Sequence, residues 1–220
     1  MRRLALRTEP RCSRCLLPPR WCVCVGAAVI TTPLQVDIVI HDRERHRPSS
    51  TGNLIARVLP GTRLHPWRNV TTTPPAAWRL PGRELWILHP RGAPPPARVD
   101  PAGVQAVLLD GAWTEAAAMA RVLAPEGRLV ALPMAGESRY WLRAQADAGR
   151  FSTAEALMFL LRTLGLDEAH DALRVQFELH VYAHLRARGR AELAAAFLAD
   201  SPLRSALPDL IAQLNTRRPR

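Results

Sequence analysis

The period of the apolar positions changes several times along this chain. Leu34-Gln-Val-Asp-Ile-Val-Ile40 alternates and is rich in branched side chains, which predicts a β-strand. The polar stretch His41–Ser50 predicts a loop, and Thr51–Leu59 a short helix that stops before Pro60. Residues 60–82 are rich in proline and are expected to be irregular. Glu84–Leu88 predicts a second strand, and Ala93–Pro101, with four prolines, a loop. Val104–Leu109 is almost wholly apolar, as expected of a parallel strand buried on both faces. The alanine-rich run Thr114–Leu123 predicts a helix and Arg128–Leu132 a fourth strand. From there on the pattern is helical: Ser152–Leu164, Asp167–Arg188, Ala191–Leu198 and Leu203–Leu214.

Strands alternating with helices, then a run of helices, predict an α/β fold. It is a parallel sheet flanked by helices, with a helical C-terminal part from about residue 152. Such sheets bind ligands outside the carboxyl ends of their strands. That rule gathers His89 and Pro90, Asp110–Trp113, and Pro133 and Met134 on one rim. Residues 1–28, basic and carrying every cysteine, read as a separate segment ahead of a domain spanning 29–220.

Composition narrows the classes. A length of 220 residues suits one domain with a small appendage, and 48% hydrophobic content excludes a disordered chain. The 30 basic residues are all arginine and face 19 acidic ones, a net charge of +11, which points to a polyanionic partner such as nucleic acid. The missing lysines read as codon bias. The charge is uneven. Six arginines against two acids lie between His41 and Arg68, while residues 167–200 hold six acids against four arginines. Met1-Arg2-Arg3 and the apolar Trp21–Ile30 imitate a signal peptide only faintly. With no apolar run near the roughly 20 residues that span a bilayer, a soluble, cytoplasmic protein is expected.

Cys12-x-x-Cys15 and Cys22-x-Cys24 have the short spacings of zinc ligands. Four thiolates close a tetrahedral site and leave no position for water, so the metal would be structural. It would bring the net charge to about +9. Arg11, Arg14 and Arg20 would then flank the site as a small surface for RNA or DNA. His180 and His184, four apart on a predicted helix, lack an evident third ligand.

At Asp110-Gly111-Ala112-Trp113 a buried strand runs into a turn and a helix. Asp110 is a candidate base, and a turn or N-cap aspartate explains it equally well. Trp113 is either the wall of a base pocket or a core anchor. Ser152-Thr-Ala-Glu155 reads as a capping box, which needs no ligand.

Taken together, these stretches resemble the DTW-domain family. The resemblance rests on Cys12, Arg14, Cys15, Cys22 and Cys24, on His41-Asp-Arg-Glu44 with Ser50-Thr51-Gly52, on Leu109-Asp-Gly-Ala-Trp113, and on Ser152-Thr-Ala-Glu-Ala156. Ala112 departs from the family's threonine. The resemblance implies a SPOUT-like knotted fold. It implies an enzyme that moves the 3-amino-3-carboxypropyl group of S-adenosylmethionine to N3 of a tRNA uridine, releasing methylthioadenosine.

Under that reading Asp110 and Trp113 are catalytic. The cofactor lies against Leu88, His89, Pro90, Leu132, Pro133, Ser152, Thr153 and Glu155. RNA meets Arg14, Arg43, Arg47, Thr51 and Arg143, and Cys12, Cys15, Cys22 and Cys24 hold zinc. Tyr140 and Trp141 join Trp113 as stacking faces for a flipped uridine. Two rivals remain: an RNA methyltransferase of the same knotted class, and a non-catalytic zinc-ribbon RNA-binding protein.

Overall fold

The computed structural model describes residues 10–69, 78–143 and 150–216. Met1-Arg2-Arg3 and part of the proline-rich stretch lie outside them. The sheet is built from β1 (Gln35–His41), β2 (Arg63–Trp67), β3 (Glu84–Ala93), β4 (Val104–Asp110) and β5 (Arg128–Val130). Its order is β2-β1-β4-β3-β5, and every neighbouring pair is parallel. The apolar β4 takes the centre, where Ala106 and Val107 are fully buried. The register pairs Ile40 with Asp110, so β1 and β4 end side by side.

Helices cover both faces. One face, with Ile38, Ile40, Trp86 and Leu108, packs on α2 (Thr51–Val58), α4 (Thr153–Thr163) and the 21-residue α5 (Asp167–Ala187). Cys15, Leu17 and Trp21 belong to this same core. The other face, with Val39, Ile87 and Val107, packs on Trp78 and on Met119 and Leu123 of α3 (Trp113–Leu123).

On that second face Asp37 is fully buried and accepts hydrogen bonds from Arg63, His65 and Gln105. Gln105 and Arg63 also donate to the Trp78 carbonyl, and this pins the segment beside Trp78 to the sheet. Burial alone would raise the Asp37 pKa. The hydrogen bonds from His65 and Arg63 outweigh it and hold the pKa below the ordinary aspartate value.

The α/β expectation is met, with differences of physical origin. The stretch expected to be irregular contains β2, which among the described residues is an edge strand paired with β1, where Pro66 is tolerated. The expected loop after His41 holds a short α1 (Asp42–Arg45) capped by the His41 ring. β3 runs beyond Leu88 to Ala93 through an irregularity against β5. Gly92 permits this, since a Cβ there would lie 2.5 Å from the β5 backbone. β5 stops at Val130 rather than Leu132. The last expected helix is two, α7 (Leu203–Ala206) and α8 (Pro208–Thr216), after α6 (Ala191–Phe197), because Pro208 cannot continue α7 and instead starts α8. Among the described residues no helix is long and apolar enough to cross a membrane.

Candidate functional site

The four cysteines converge. Their sulfurs all lie within 4.8 Å of one another, with Cys12–Cys24 and Cys15–Cys22 each at 3.7 Å. Tetrahedral zinc with bonds of about 2.3 Å requires sulfurs about 3.8 Å apart, so the cluster fits that ion. Leu16, in the left-handed region at φ 59°, turns the chain so that its N–H reaches the Cys12 carbonyl at 2.9 Å. The N–H groups of Cys15 and Arg14 pull the Cys12 thiol down to about 6. Burial and the neighbouring sulfurs push Cys24 up. Four sulfurs at this spacing fit a metal cation, which would hold them as thiolates.

Arg57 of α2 shares a small cavity with Cys15, Cys24 and His180, and donates to the Arg14 carbonyl at 3.4 Å. No local pattern marks Arg57 for this place; it arrives from 43 residues away. His180 and His184 are buried with ring centroids 4.3 Å apart, and burial lowers the pKa of both. Among the described residues the cysteines are the metal-competent cluster.

Asp110 ends β4 between the N-termini of α2 and α4. It is 7% exposed, and both its oxygens are engaged. The Thr153 hydroxyl donates to Oδ1 at 2.8 Å and the Ser50 hydroxyl to Oδ2 at 3.1 Å. Ser50 is also the N-cap of α2, accepting the Asn53 N–H. Gly52 lets that helix approach, because a Cβ there would stand 2.3 Å from Oδ2. Burial raises the Asp110 pKa. The Thr153 hydrogen bond opposes this, and the nearby charge of Glu44 adds to the rise. Glu44 is itself buried and accepts from Arg47 and Arg143. Arg143 is thereby committed to a protein carboxylate and lies over the Tyr140 ring at 5.7 Å.

An apolar cleft opens at the strand ends, lined among others by Leu88, His89, Pro90, Leu132, Ser152 and Thr153. Its volume is about 120 Å³. That is below the several hundred Å³ of a drug-sized site. Trp113 stands at that mouth, 46% exposed, with the Arg150 guanidinium 5.5 Å over its ring. A core anchor would not be half exposed. The ring is a wall.

Other expected residues are placed elsewhere. Pro133 is not among the cleft-lining residues; Met134 is. Glu155 turns away, its carboxylate taken by Ser138, the Arg139 N–H and the Ser152 N–H. It fastens the loop before α4, so the capping explanation accounts for it. Thr51 is buried and accepts the Ala154 N–H at 3.4 Å, which joins two helix ends and leaves it no face toward RNA. Tyr140 is buried against Phe177, with its hydroxyl on the Ser49 carbonyl, so it offers no stacking face. Arg14 and Arg43 are exposed; Arg47 is exposed but paired with Glu44.

Ala112 is the N-cap of α3. It has no side-chain oxygen, and the helix start is held from the other side, where Glu115 accepts the Ala112 N–H at 2.7 Å. The position is exposed, so what a threonine would add there is a helix cap.

The family model described as DTW domain matches residues 9–185. No solved structure matches the chain.

Proposed function

The chain belongs to the DTW-domain family, and from that premise we propose that it transfers the 3-amino-3-carboxypropyl group of S-adenosylmethionine to N3 of a uridine in tRNA. DTW domains are known aminocarboxypropyltransferases. The observation that carries the reading is Asp110: a buried carboxylate at a strand end, beside an apolar cleft with an exposed tryptophan at its mouth. S-adenosylmethionine supplies a sulfonium whose neighbouring carbons are electrophilic.

The protein must choose the carbon by positioning and remove the acceptor's proton. Leu88, His89, Pro90 and Leu132 would wall the flat base of S-adenosylmethionine, with Ser152 at the polar side and the Thr153 hydroxyl turned to Asp110. Trp113 gives the uracil a stacking face. Asp110, its pKa raised by burial, receives the N3 proton. The N3–carbon bond forms as the carbon–sulfur bond breaks, and methylthioadenosine leaves.

Arg14, Arg43 and Arg47 provide phosphate contacts on the exposed basic side, so binding weakens as salt rises. The cysteines of residues 1–28 hold a structural zinc ion beside the catalytic domain of 29–220. A cytoplasmic location and the knotted, SPOUT-like chain path belong to the same reading.

The test is incubation with labelled S-adenosylmethionine and unmodified tRNA, followed by nucleoside analysis. Methylthioadenosine is the expected co-product; S-adenosylhomocysteine would indicate methyl transfer instead. Asp110→Asn is expected to abolish transfer and retain tRNA binding, and near-normal turnover in that variant would overturn its role.

A further inference from the structure

The residues on either side of Asp110, Leu109 and Gly111, line the cleft, and so does Thr153; Asp110 itself is buried and is not among the lining residues. Its Oδ2 is occupied by Ser50 and closed off by Gly52. Its Oδ1 faces the Thr153 hydroxyl. Thr153 therefore links the two: it lines the cleft, and its hydroxyl is hydrogen-bonded to the carboxylate.

That hydroxyl has no capping duty. Ser152 and Glu155 already cap α4, each satisfying a backbone N–H of the other. A hydroxyl carries one proton and two lone pairs. Here the proton goes to Asp110, and the lone pairs remain for a donor in the cleft.

We propose that Thr153 is a catalytic residue that relays the acceptor's proton to Asp110. Its oxygen takes the proton of the substrate N–H while its own hydroxyl proton passes to Oδ1. One O–H bond forms at Thr153 as another breaks, and one forms at Asp110. The electron pair of the broken N–H bond stays on the nitrogen, which attacks the carbon beside sulfur. Threonine ends unchanged and Asp110 ends neutral, a state its burial favours. The proposal deepens the transfer reading of this site and rests on it.

The experiment uses the full chain with labelled S-adenosylmethionine and unmodified tRNA. Wild-type transfer is measured first; its absence would sink the transfer reading itself, and the relay with it. Thr153→Val keeps the shape without the hydroxyl. It is expected to lower kcat by roughly 10²–10⁴-fold, the usual worth of positioned acid–base catalysis, with KM for the cofactor changed less than about threefold. The deficit should shrink as pH rises, because the acceptor nitrogen then ionises unaided. Thr153→Ser should restore kcat to within about tenfold of wild type. Thr153→Ala provides a second hydroxyl-free variant should the valine protein fail to fold. Unchanged kcat in a hydroxyl-free variant, a loss confined to KM, or a loss independent of pH would each overturn the relay.

Discussion

Gly52→Ala separates the stability of α2 from the placement of Asp110. In an ordinary helix the change stabilises by about 1 kcal/mol, because alanine has less backbone freedom to lose. Here the new Cβ would lie 2.3 Å from Asp110 Oδ2 and 3.1 Å from its carboxyl carbon. Ordinary contact begins about 1 Å further out, so the carboxylate or the helix must move by roughly that much. Overpacking of this kind costs about 1–3 kcal/mol, which the helix gain partly offsets, leaving a net loss of about 0–2 kcal/mol. For a chain of this size that lowers the melting temperature by only a few degrees, at about 2–4 °C per kcal/mol. Activity should suffer far more. The displaced oxygen is the one held by Ser50 at 3.1 Å, and a misplacement near 1 Å costs on the order of 10²-fold in rate. The assay pairs a thermal melt by circular dichroism with the initial rate of label transfer to tRNA. A variant that melts close to wild type and retains turnover within about threefold would refute the reasoning.

Ala112→Thr should restore the N-cap of α3 and raise stability by about 1 kcal/mol, seen as a melting temperature higher by about 2–4 °C; no rise would mean that Glu115 already saturates that helix start. Asp37 has its pKa lowered in the fold, so its contribution is present above the unfolded value near 4 and disappears as pH falls through the folded value. Asp37→Asn should cost about 3 kcal/mol at neutral pH, at the low end for a broken buried pair because Arg63 is 32% exposed. The acid slope of its melting temperature should flatten, and an unchanged slope would assign that acid sensitivity to other carboxylates. Arg57→Met removes the cation beside the cysteines and should weaken zinc retention by about 10–100-fold in competition with a chromophoric chelator, whereas Arg57→Lys should retain most of it; equal affinities in all three proteins would deny Arg57 any part in the metal site.

The cysteine cluster and the central strand were legible because their signals are local. Cys12–Cys24 carry the ligand spacing within 13 residues, and an apolar Val104–Leu109 admits little besides a buried strand. β2 was hidden, since an edge strand needs only one partner and tolerates Pro66, so its residues show no strand pattern. The capping box announced the bonds between Ser152 and Glu155, whereas the Thr51 hydroxyl is spent on the Ala154 N–H 103 residues away, a partner no local motif reveals. The single helix expected over Leu203–Leu214 failed at Pro208 because apolar periodicity outweighed a local breaker that was visible.

By itself the sequence determined which segments could be strand or helix, that four thiols would stand together, and that an acid would close a buried strand. Those are consequences of side-chain period, ligand spacing and turn chemistry along a short stretch of chain. Only the tertiary structure decided what surrounds that acid. Ser50 lies 60 residues from Asp110 and Thr153 lies 43 away. Their hydroxyls meet its oxygens because parallel packing brings two helix starts to one strand end. Arg57 reaches the cysteines, and Arg143 turns to Glu44, for the same reason. A buried charge takes the partner nearest in space, and distance along the chain carries no record of it.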